Sequence, residues 1–294
     1  MKQILQTLPP RLREGFLVLS PADWEELEEI RLRPRAPVLL FFREGERELS
    51  GPEVQPGDLE LTLELAGRAS LHTVLPQLRQ GYLTLRGGHR LGVCGSVHLR
   101  QGNLHAIEPL SALNLRLARQ VRGVGEVLTA RLCCGGPFPS TLILAPPGGG
   151  KTTLLRDVVR CLSDGVGCPA HRVSLADERG EVAALCRGVP QLEVGRRTDV
   201  MEGCPKAQAL MLLLRGMNPQ VLAADEITAG EDVAAMETAV GCGVSLLATA
   251  HGRDRGDLLR RPLYRRVLEQ RLFERLVVIR VEGGQRRYEV EVLE

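Results

Sequence analysis

Aromatic residues are scarce in this chain: five Phe, three Tyr and one Trp among 294 residues. Nine rings spread over that length provide no stacking platform of the kind that grips single-stranded nucleic acid. Neither charge sign dominates, with 38 Lys and Arg against 36 Asp and Glu for a net charge of +2. A balance this even argues against polyanion binding through bulk charge. No apolar run reaches the length needed to cross a bilayer. The opening MKQILQTLPPRLREG is too charged, and its apolar part too short, for a secretory leader, which predicts synthesis and residence in the cytosol. The eight cysteines (Cys94, Cys133, Cys134, Cys161, Cys168, Cys186, Cys204, Cys242) contain no C-x-x-C pair. Buried free thiols in a reducing compartment are therefore expected, rather than a zinc site or a disulfide framework. Internal repeats and low-complexity tracts are also missing.

What is present is ordinary for a globular protein, with 44% hydrophobic and 25% charged residues. The length suits one large domain or two modest ones. Ser20-Pro21 before Trp24, Leu27 and Ile30 reads as an N-cap with proline at the first helical position. Extended runs follow at residues 29–33 and 38–42, set apart by Pro34 and Pro37, with a turn at Glu44-Gly45-Glu46. Residues 58–80 are expected to be helical. A hairpin is expected from residues 82–85 and 90–97 around Gly87-Gly88, a strand at 113–117, and helix over 118–138 as far as Gly135-Gly136-Pro137. Beyond Thr141 the pattern changes: short apolar runs at 141–145, 172–176, 220–224 and 244–249 alternate with helical stretches. That alternation predicts a helix-flanked parallel sheet. The expected organisation is α/β, with a smaller α+β domain over residues 1–120 preceding a motor domain over 121–294.

The first of those runs, Thr141-Leu142-Ile143-Leu144, leads into Ala145-Pro146-Pro147-Gly148-Gly149-Gly150-Lys151-Thr152-Thr153 and then the helix-like LLRDVVRCL. The Walker A pattern is G-x-x-x-x-G-K-[ST] between a strand and a helix, and only its first glycine is replaced here, by Ala145. Glycines let backbone N–H groups turn inward around phosphate oxygens, and the helix start adds positive potential. Pro147, Gly148, Gly149, Gly150, Lys151, Thr152 and Thr153 form the expected nucleotide cradle. In it Lys151 reaches the β- and γ-phosphates, the Thr152 hydroxyl ligates Mg²⁺, and Thr153 stands at the α-phosphate.

Two later runs end in acid pairs, Asp177-Glu178 and Asp225-Glu226. An apolar strand closing on Asp-Glu is the Walker B pattern, which makes Asp225 the expected magnesium carboxylate. Glu226 and Glu178 both remain open as the residue that polarises the attacking water, and the lesser alternative for Asp177-Glu178 is a solvated loop start. His251 closes the run at Thr249-Ala250-His251, where spacing alone gives it equal claims as γ-phosphate sensor and as structural residue. Among arginines able to stabilise transition-state charge, in cis or from a neighbouring subunit, Arg197 and Arg215 rank above Arg196.

Taken in order, these motifs resemble the secretion-type P-loop ATPases, which have a RecA/AAA-like fold. The resemblance implies an acidic box at residues 177–181, a helix over 207–219 carrying Arg215 and Asn218-Pro219, Walker B at Asp225-Glu226 and a histidine box at His251. The strings PPGGGKTTLLRD, DERGEVAAL, GRRTDVMEGCPKA, LLRGMNPQVLAADEI and ATAHG resemble more closely the stage III sporulation protein AA family. So do EIRLR, GGHRLGVCG and SALNLRLAR, and together they span nearly the whole chain. The chain departs from the superfamily at Ala145, in lacking a tetracysteine zinc motif, and in the small Ala223-Ala224 before Asp225.

The resemblance implies an ATP- and Mg-dependent ATPase that powers a secretion-like channel of endospore formation, in the mother cell. It further implies homo-oligomeric rings of six and a peripheral position on the cytoplasmic face of a membrane, with membrane-embedded sporulation channel proteins as partners. Arginines such as Arg116, or one from a neighbouring subunit, would complete the site. The alternatives are a nucleotide-regulated nucleic-acid binder and a scaffold that binds ATP with little turnover.

Overall fold

A computed structural model describes residues 2–67, 81–134, 136–283 and 285–293. The chain divides into two compact units, one running to Arg119 and including Cys186–Gln191, the other comprising Gln120–Leu185 and Leu192–Glu294.

In the first unit, short helices α1 (Lys2–Leu5), α2 (Pro10–Arg13) and α3 (Pro21–Glu26) lead into β1 (Leu27–Leu32), β2 (Leu39–Phe42) and β3 (Gly45–Glu48). Helix α4 (Pro56–Gly67) precedes β4 (Tyr82–Thr84), β5 (Arg90–Arg100) and β6 (Asn103–Arg116). The six strands form one antiparallel sheet in the order β3-β2-β1-β6-β5-β4. The Ser20 cap forms a full capping box: its hydroxyl accepts from Asp23 N at 3.1 Å, and Asp23 Oδ2 accepts from Ser20 N at 2.8 Å. One apolar face, carrying Leu27, Ile30, Leu40, Leu91, Leu113 and Leu115, closes on Leu8, Leu12, Phe16 and Leu59.

Two expectations need adjusting here. Helix α4 covers the described part of the expected 58–80 helix, and residues 68–80 lie outside the described residues. Strand β6 begins ten residues before the expected 113, because its outer half pairs with the exposed half of β5 in a ribbon with little apolar pattern to reveal it.

The second unit opens with α5 (Glu126–Cys133), then β7 (Thr141–Ala145), α6 (Lys151–Asp164) and β8 (Val173–Asp177). A two-residue ladder joins β9 (Leu185–Cys186) to β10 (Val189–Pro190), where residues 186–191 count with the first unit. There follow β11 (Thr198–Glu202), α7 (Lys206–Met217), β12 (Val221–Ala224), α8 (Gly230–Gly241) and β13 (Ser245–His251). The chain continues through α9 (Arg255–Leu259) and α10 (Pro262–Glu269) to β14 (Arg275–Glu282) and β15 (Gln285–Val292). Seven strands make one sheet, β11-β8-β12-β13-β7-β14-β15, parallel throughout except for β15 at the edge.

Both faces are covered, as a parallel sheet requires. Ile143, Leu175, Val221 and Ala223 point to a core shared with Leu154, Leu155, Val158 and Val159 of α6. Their strand neighbours Leu142, Leu144, Ala176 and Leu222 point to the other core, with Leu210, Leu213, Val233 and Met236 of α7 and α8. The four apolar runs beyond Thr141 thus become β7, β8, β12 and β13, as their pattern predicts.

The expected helix over 118–138 shrinks to α5, because Gly123 takes φ 83° and a Cβ on Gly125 would lie 3.0 Å from Val158 N. Gly135, part of the expected break, lies outside the described residues. Strand β11 eluded the sequence reading because it is half-buried and polar, and β14–β15 because no motif marks them. The thiols are less uniformly buried than expected: Cys133 and Cys161 are buried, whereas Cys94, Cys134 and Cys242 are exposed. Burial pushes the Cys133 thiol up to about 12, leaving it unreactive.

Candidate nucleotide site

The candidate residues gather where β8, β12, β13 and β7 end side by side at the carboxyl edge of the parallel sheet, the usual place for a ligand in an open α/β fold. Register fixes the alignment: His251 pairs with Ala145, Ala248 with Ala224, and Ala224 with Ala176.

Between β7 and α6 the loop turns through left-handed residues Gly148 (φ 73°) and Gly150 (φ 94°). Gly149 is packed so closely that a Cβ there would meet the Ala145 methyl at 2.7 Å. The alanine that replaces the first Walker A glycine is therefore accommodated as the buried last residue of β7, against a glycine that cannot be enlarged. Lys151, the first residue of α6, is 7% exposed and bends back over the loop. Its ammonium donates to the carbonyls of Ala145 (3.2 Å) and Pro146 (3.3 Å) and to His251 Nδ1 (2.8 Å). Burial pushes the Lys151 pKa down, against the pull of Asp225 and Glu226. Thr153 follows, half-buried in the first turn of α6, and Pro147 is exposed on the outer edge of the loop.

Asp225 accepts from two hydroxyls, Thr152 Oγ1 at 2.8 Å and Thr249 Oγ1 at 2.6 Å. A hydroxyl and a carboxylate held together beside a phosphate loop form a hard oxygen donor set that fits Mg²⁺. Glu226 has φ 51°, a left-handed conformation uncommon for a residue with a Cβ. Its N–H donates to Thr249 Oγ1 at 2.8 Å, and its Oε1 lies 2.9 Å from His251 Nε2. An ammonium has donors only, so His251 Nδ1 accepts from Lys151 and the ring proton sits on Nε2, facing Glu226. His251 thus bridges the loop lysine and the Walker B glutamate.

The adjacent acids Asp177 and Glu178 differ in environment. Asp177 is 1% exposed and accepts from the N–H groups of Glu181 (2.9 Å), Val182 (3.0 Å) and Ala183 (2.8 Å). Burial raises its pKa while those three donors pull it down. It organises the turn and is no solvated loop start. Glu178 is open to solvent on one side and lies 3.5 Å from Lys206 Nζ.

The ranked arginines do not reach this site within one chain. The Arg197 carbonyl accepts from Val173 N at the far end of β8, and its guanidinium donates to Ser163 O at 3.1 Å. Arg215 is exposed in the last turn of α7, about 14 Å along the helix from Lys206. Arg196 pairs with Asp164, and Arg116, in the first unit, pairs with Glu29 at 2.9 Å.

The comparisons with known proteins give the family and the fold. The family model described as "Sporulation stage III, protein AA" matches residues 1–290. Stage III sporulation protein AA of Bacillus subtilis (strain 168) is 37% identical over 285 residues, covering 96% of this chain and 92% of that protein. This chain belongs to the stage III sporulation protein AA family. Protein SEEDLING PLASTID DEVELOPMENT 1 of Arabidopsis thaliana is 29% identical over 88% of this chain, but only 34% of that longer protein is matched. Among solved structures, the pilus retraction motor PilT with bound ADP superposes with TM-score 0.62 at 18% identity, over 95% of this chain and 83% of that chain. The ATPase DotB of Legionella pneumophila gives TM-score 0.58 at 13% identity, over 92% and 77%. At such identities the likeness is one of fold: this stage III sporulation AA chain has the RecA-like P-loop architecture.

The family string GRRTDVMEGCPKA supplies one residue that motif reasoning missed. Lys206 is 4% exposed and lies among Glu178, Asp232 and the Glu226 carbonyl. Only the pairing of Pro205 with a helix start hinted that this lysine opens α7. Arg286 was missed as well. It lies on edge strand β15, its Nε is 3.4 Å from Gly149 O, and it stands where a Cβ on Gly150 would point. No sequence signal connects it to a loop 137 residues away. Among the described residues, no helix is long and apolar enough to cross a membrane.

Proposed function

We propose that this chain is a Mg-dependent ATPase that powers a channel complex of endospore formation. The observation that carries the reading is the convergence of Lys151, the Thr152–Asp225 pair and the His251–Glu226 pair at one sheet edge. The amides of Gly148, Gly149 and Gly150 cradle the phosphates, and Lys151 leaves its carbonyl partners to neutralise the β- and γ-oxygens. Thr152 and Asp225 would hold Mg²⁺, which supplies positive charge at the phosphate oxygens when bound. Water attacks the γ-phosphorus as its proton is drawn toward Glu226, the bond to the β,γ-bridging oxygen breaks, and ADP and inorganic phosphate leave. Glu226 polarises that water: its carboxylate reaches the loop lysine through His251, whereas Glu178 serves as counter-charge to Lys206.

Arg286 adds a cationic contact at Gly149. Arg197 and Arg215 are left for a neighbouring subunit, in a ring of six copies whose closed head-to-tail interface can insert a side chain into the next site. Family membership supports a sporulation role at the cytoplasmic face of a membrane, through membrane-embedded sporulation channel proteins.

The test is ATP turnover by the purified full chain with and without Mg²⁺. Lys151→Ala is expected to lower kcat by about 10³-fold or more, the scale of losing a central transition-state charge. Calorimetry without any Mg-dependent ATP heat would overturn the reading, and tight ATP binding with no Lys151-dependent turnover would leave a scaffold.

A further inference from the structure

A lysine is costly where Lys206 sits. It is 4% exposed, and it is the first residue of α7, where the positive end of the helix dipole opposes a cation. Helix stability therefore gives no reason for it, and a buried ammonium is tolerated only when its donors are matched. Here one hydrogen bond and two carboxylates provide the matching. The Glu226 carbonyl accepts from Nζ, the Glu178 carboxylate lies at 3.5 Å, and the Asp232 carboxylate lies at 3.6 Å. Asp232 in turn accepts from the N–H groups of Thr228 (3.0 Å) and Ala229 (3.1 Å), which ties the ammonium to the start of α8.

We propose that Lys206 is a positioning residue for hydrolysis, clamping the backbone of Glu226 so that its carboxylate is aimed at the reacting water. The proposal rests on the ATPase reading above. Both polar backbone groups of Glu226 are held by side chains, the N–H by Thr249 Oγ1 at 2.8 Å and the carbonyl by Lys206. With both ends of the residue fixed, its left-handed φ of 51° is maintained, a conformation uncommon for a residue with a Cβ. The Cα–Cβ direction is then set, and Oε1 meets His251 Nε2 at 2.9 Å. The same ammonium takes Glu178 as its counter-ion. One cation thus meets two neighbouring glutamates differently, Glu178 through its carboxylate and Glu226 through its backbone carbonyl, while the Glu226 carboxylate faces His251 and, at 3.8 Å, Arg179. The string GCPKA acquires a physical meaning: it delivers a buried charge to the Glu226 carbonyl, just beyond β12.

The experiment uses full-length Lys206→Met, Lys206→Gln and Lys206→Arg, with kcat and KM for ATP measured alongside ATP affinity by calorimetry. Releasing Glu226 by about an ångström costs roughly 100-fold in rate. Lys206→Met is therefore expected to lose about 100-fold in kcat while KM and affinity stay within about twofold of the parent. Lys206→Arg, which keeps the charge and the donors, is expected to recover to within about tenfold of the parent. If Lys206→Met does not fold, Lys206→Gln carries the test, with about a tenfold loss in kcat at unchanged KM. Unchanged kcat in the folded neutral variants overturns the proposal. So does a parallel loss of kcat and affinity with no rescue by arginine, which is the signature of a purely structural residue. A parent protein without Lys151-dependent turnover overturns the ATPase reading and this proposal together, so the two failures are distinguishable.

Discussion

The two units place their charges differently. In the first, arginines are spread over an antiparallel sheet and satisfied locally: Arg31 lies 4.6 Å from the Phe41 ring centre, Arg47 lies 4.5 Å from Phe42, and Arg116 pairs with Glu29. Each is at a surface where water screens it, so each contributes little and directs nothing. In the second, charged residues converge on one sheet edge and are largely buried: Asp177 is 1%, Lys206 4% and Lys151 7% exposed. Buried charges are tolerated only through exact pairing, and pairing of that kind fixes geometry. Dispersed charge makes a stable, soluble surface, whereas concentrated charge makes a site.

The sharpest way to break this comparison is Asp177→Ala, which strands three backbone N–H groups in a dry turn. It should destabilise the second unit by roughly 3–5 kcal/mol. Trp24, the one tryptophan in the chain, stacks on Phe16 in the first unit at 5.9 Å. Its fluorescence therefore follows that unit alone. Urea unfolding should show an early transition by circular dichroism in the variant, with the Trp24 transition unmoved. A shared shift would mean the two units do not unfold separately.

The first unit has its own half-buried titratable group. Ala118 N donates to His89 Nδ1 at 3.0 Å, and burial pushes that ring down from 6.5 to about 4. The unfolded chain binds the extra proton, so stability is complete above pH 6.5 and is lost as pH falls toward about 4. The loss is roughly 3 kcal/mol at most. The Trp24 midpoint in urea should fall between pH 7 and pH 4.5, and His89→Gln should flatten that dependence.

Smaller effects sharpen the contrast. Arg286→Ala, which removes the cation beside Gly149, should weaken ATP binding by about fivefold, or roughly 1 kcal/mol, as read by calorimetry. The Trp24 transition should not respond. Ser20→Ala removes the α3 cap and should cost about 1 kcal/mol, visible in the Trp24 transition and absent from ATP affinity.

How legible each unit was in the sequence follows from the same physics. Strands β7, β8, β12 and β13 could be read because a strand buried on both faces must be apolar along its length. The Ser20 cap and the hairpin at Gly87-Gly88 were legible because their chemistry is local. The outer half of β6 and the polar strand β11 were not, since their pairing partners, rather than their own composition, hold them extended. Arg197 and Arg215 were ranked from neighbouring motifs, yet the start of β11 and the last turn of α7 carry them to positions away from the loop. Lys206 and Arg286, which carry no recognised pattern, lie against Glu226 and against the loop respectively.

The sequence by itself determined the phosphate loop, the acid-terminated strands and the alternation that forces a parallel sheet, because each is written in contiguous residues with short-range steric and hydrogen-bonding requirements. Only the tertiary structure decided which acid is structural, which glutamate faces the loop lysine through His251, and which cations attend them. Those choices depend on burial and on distances between residues far apart in the chain, and neither quantity exists until the sheet has assembled.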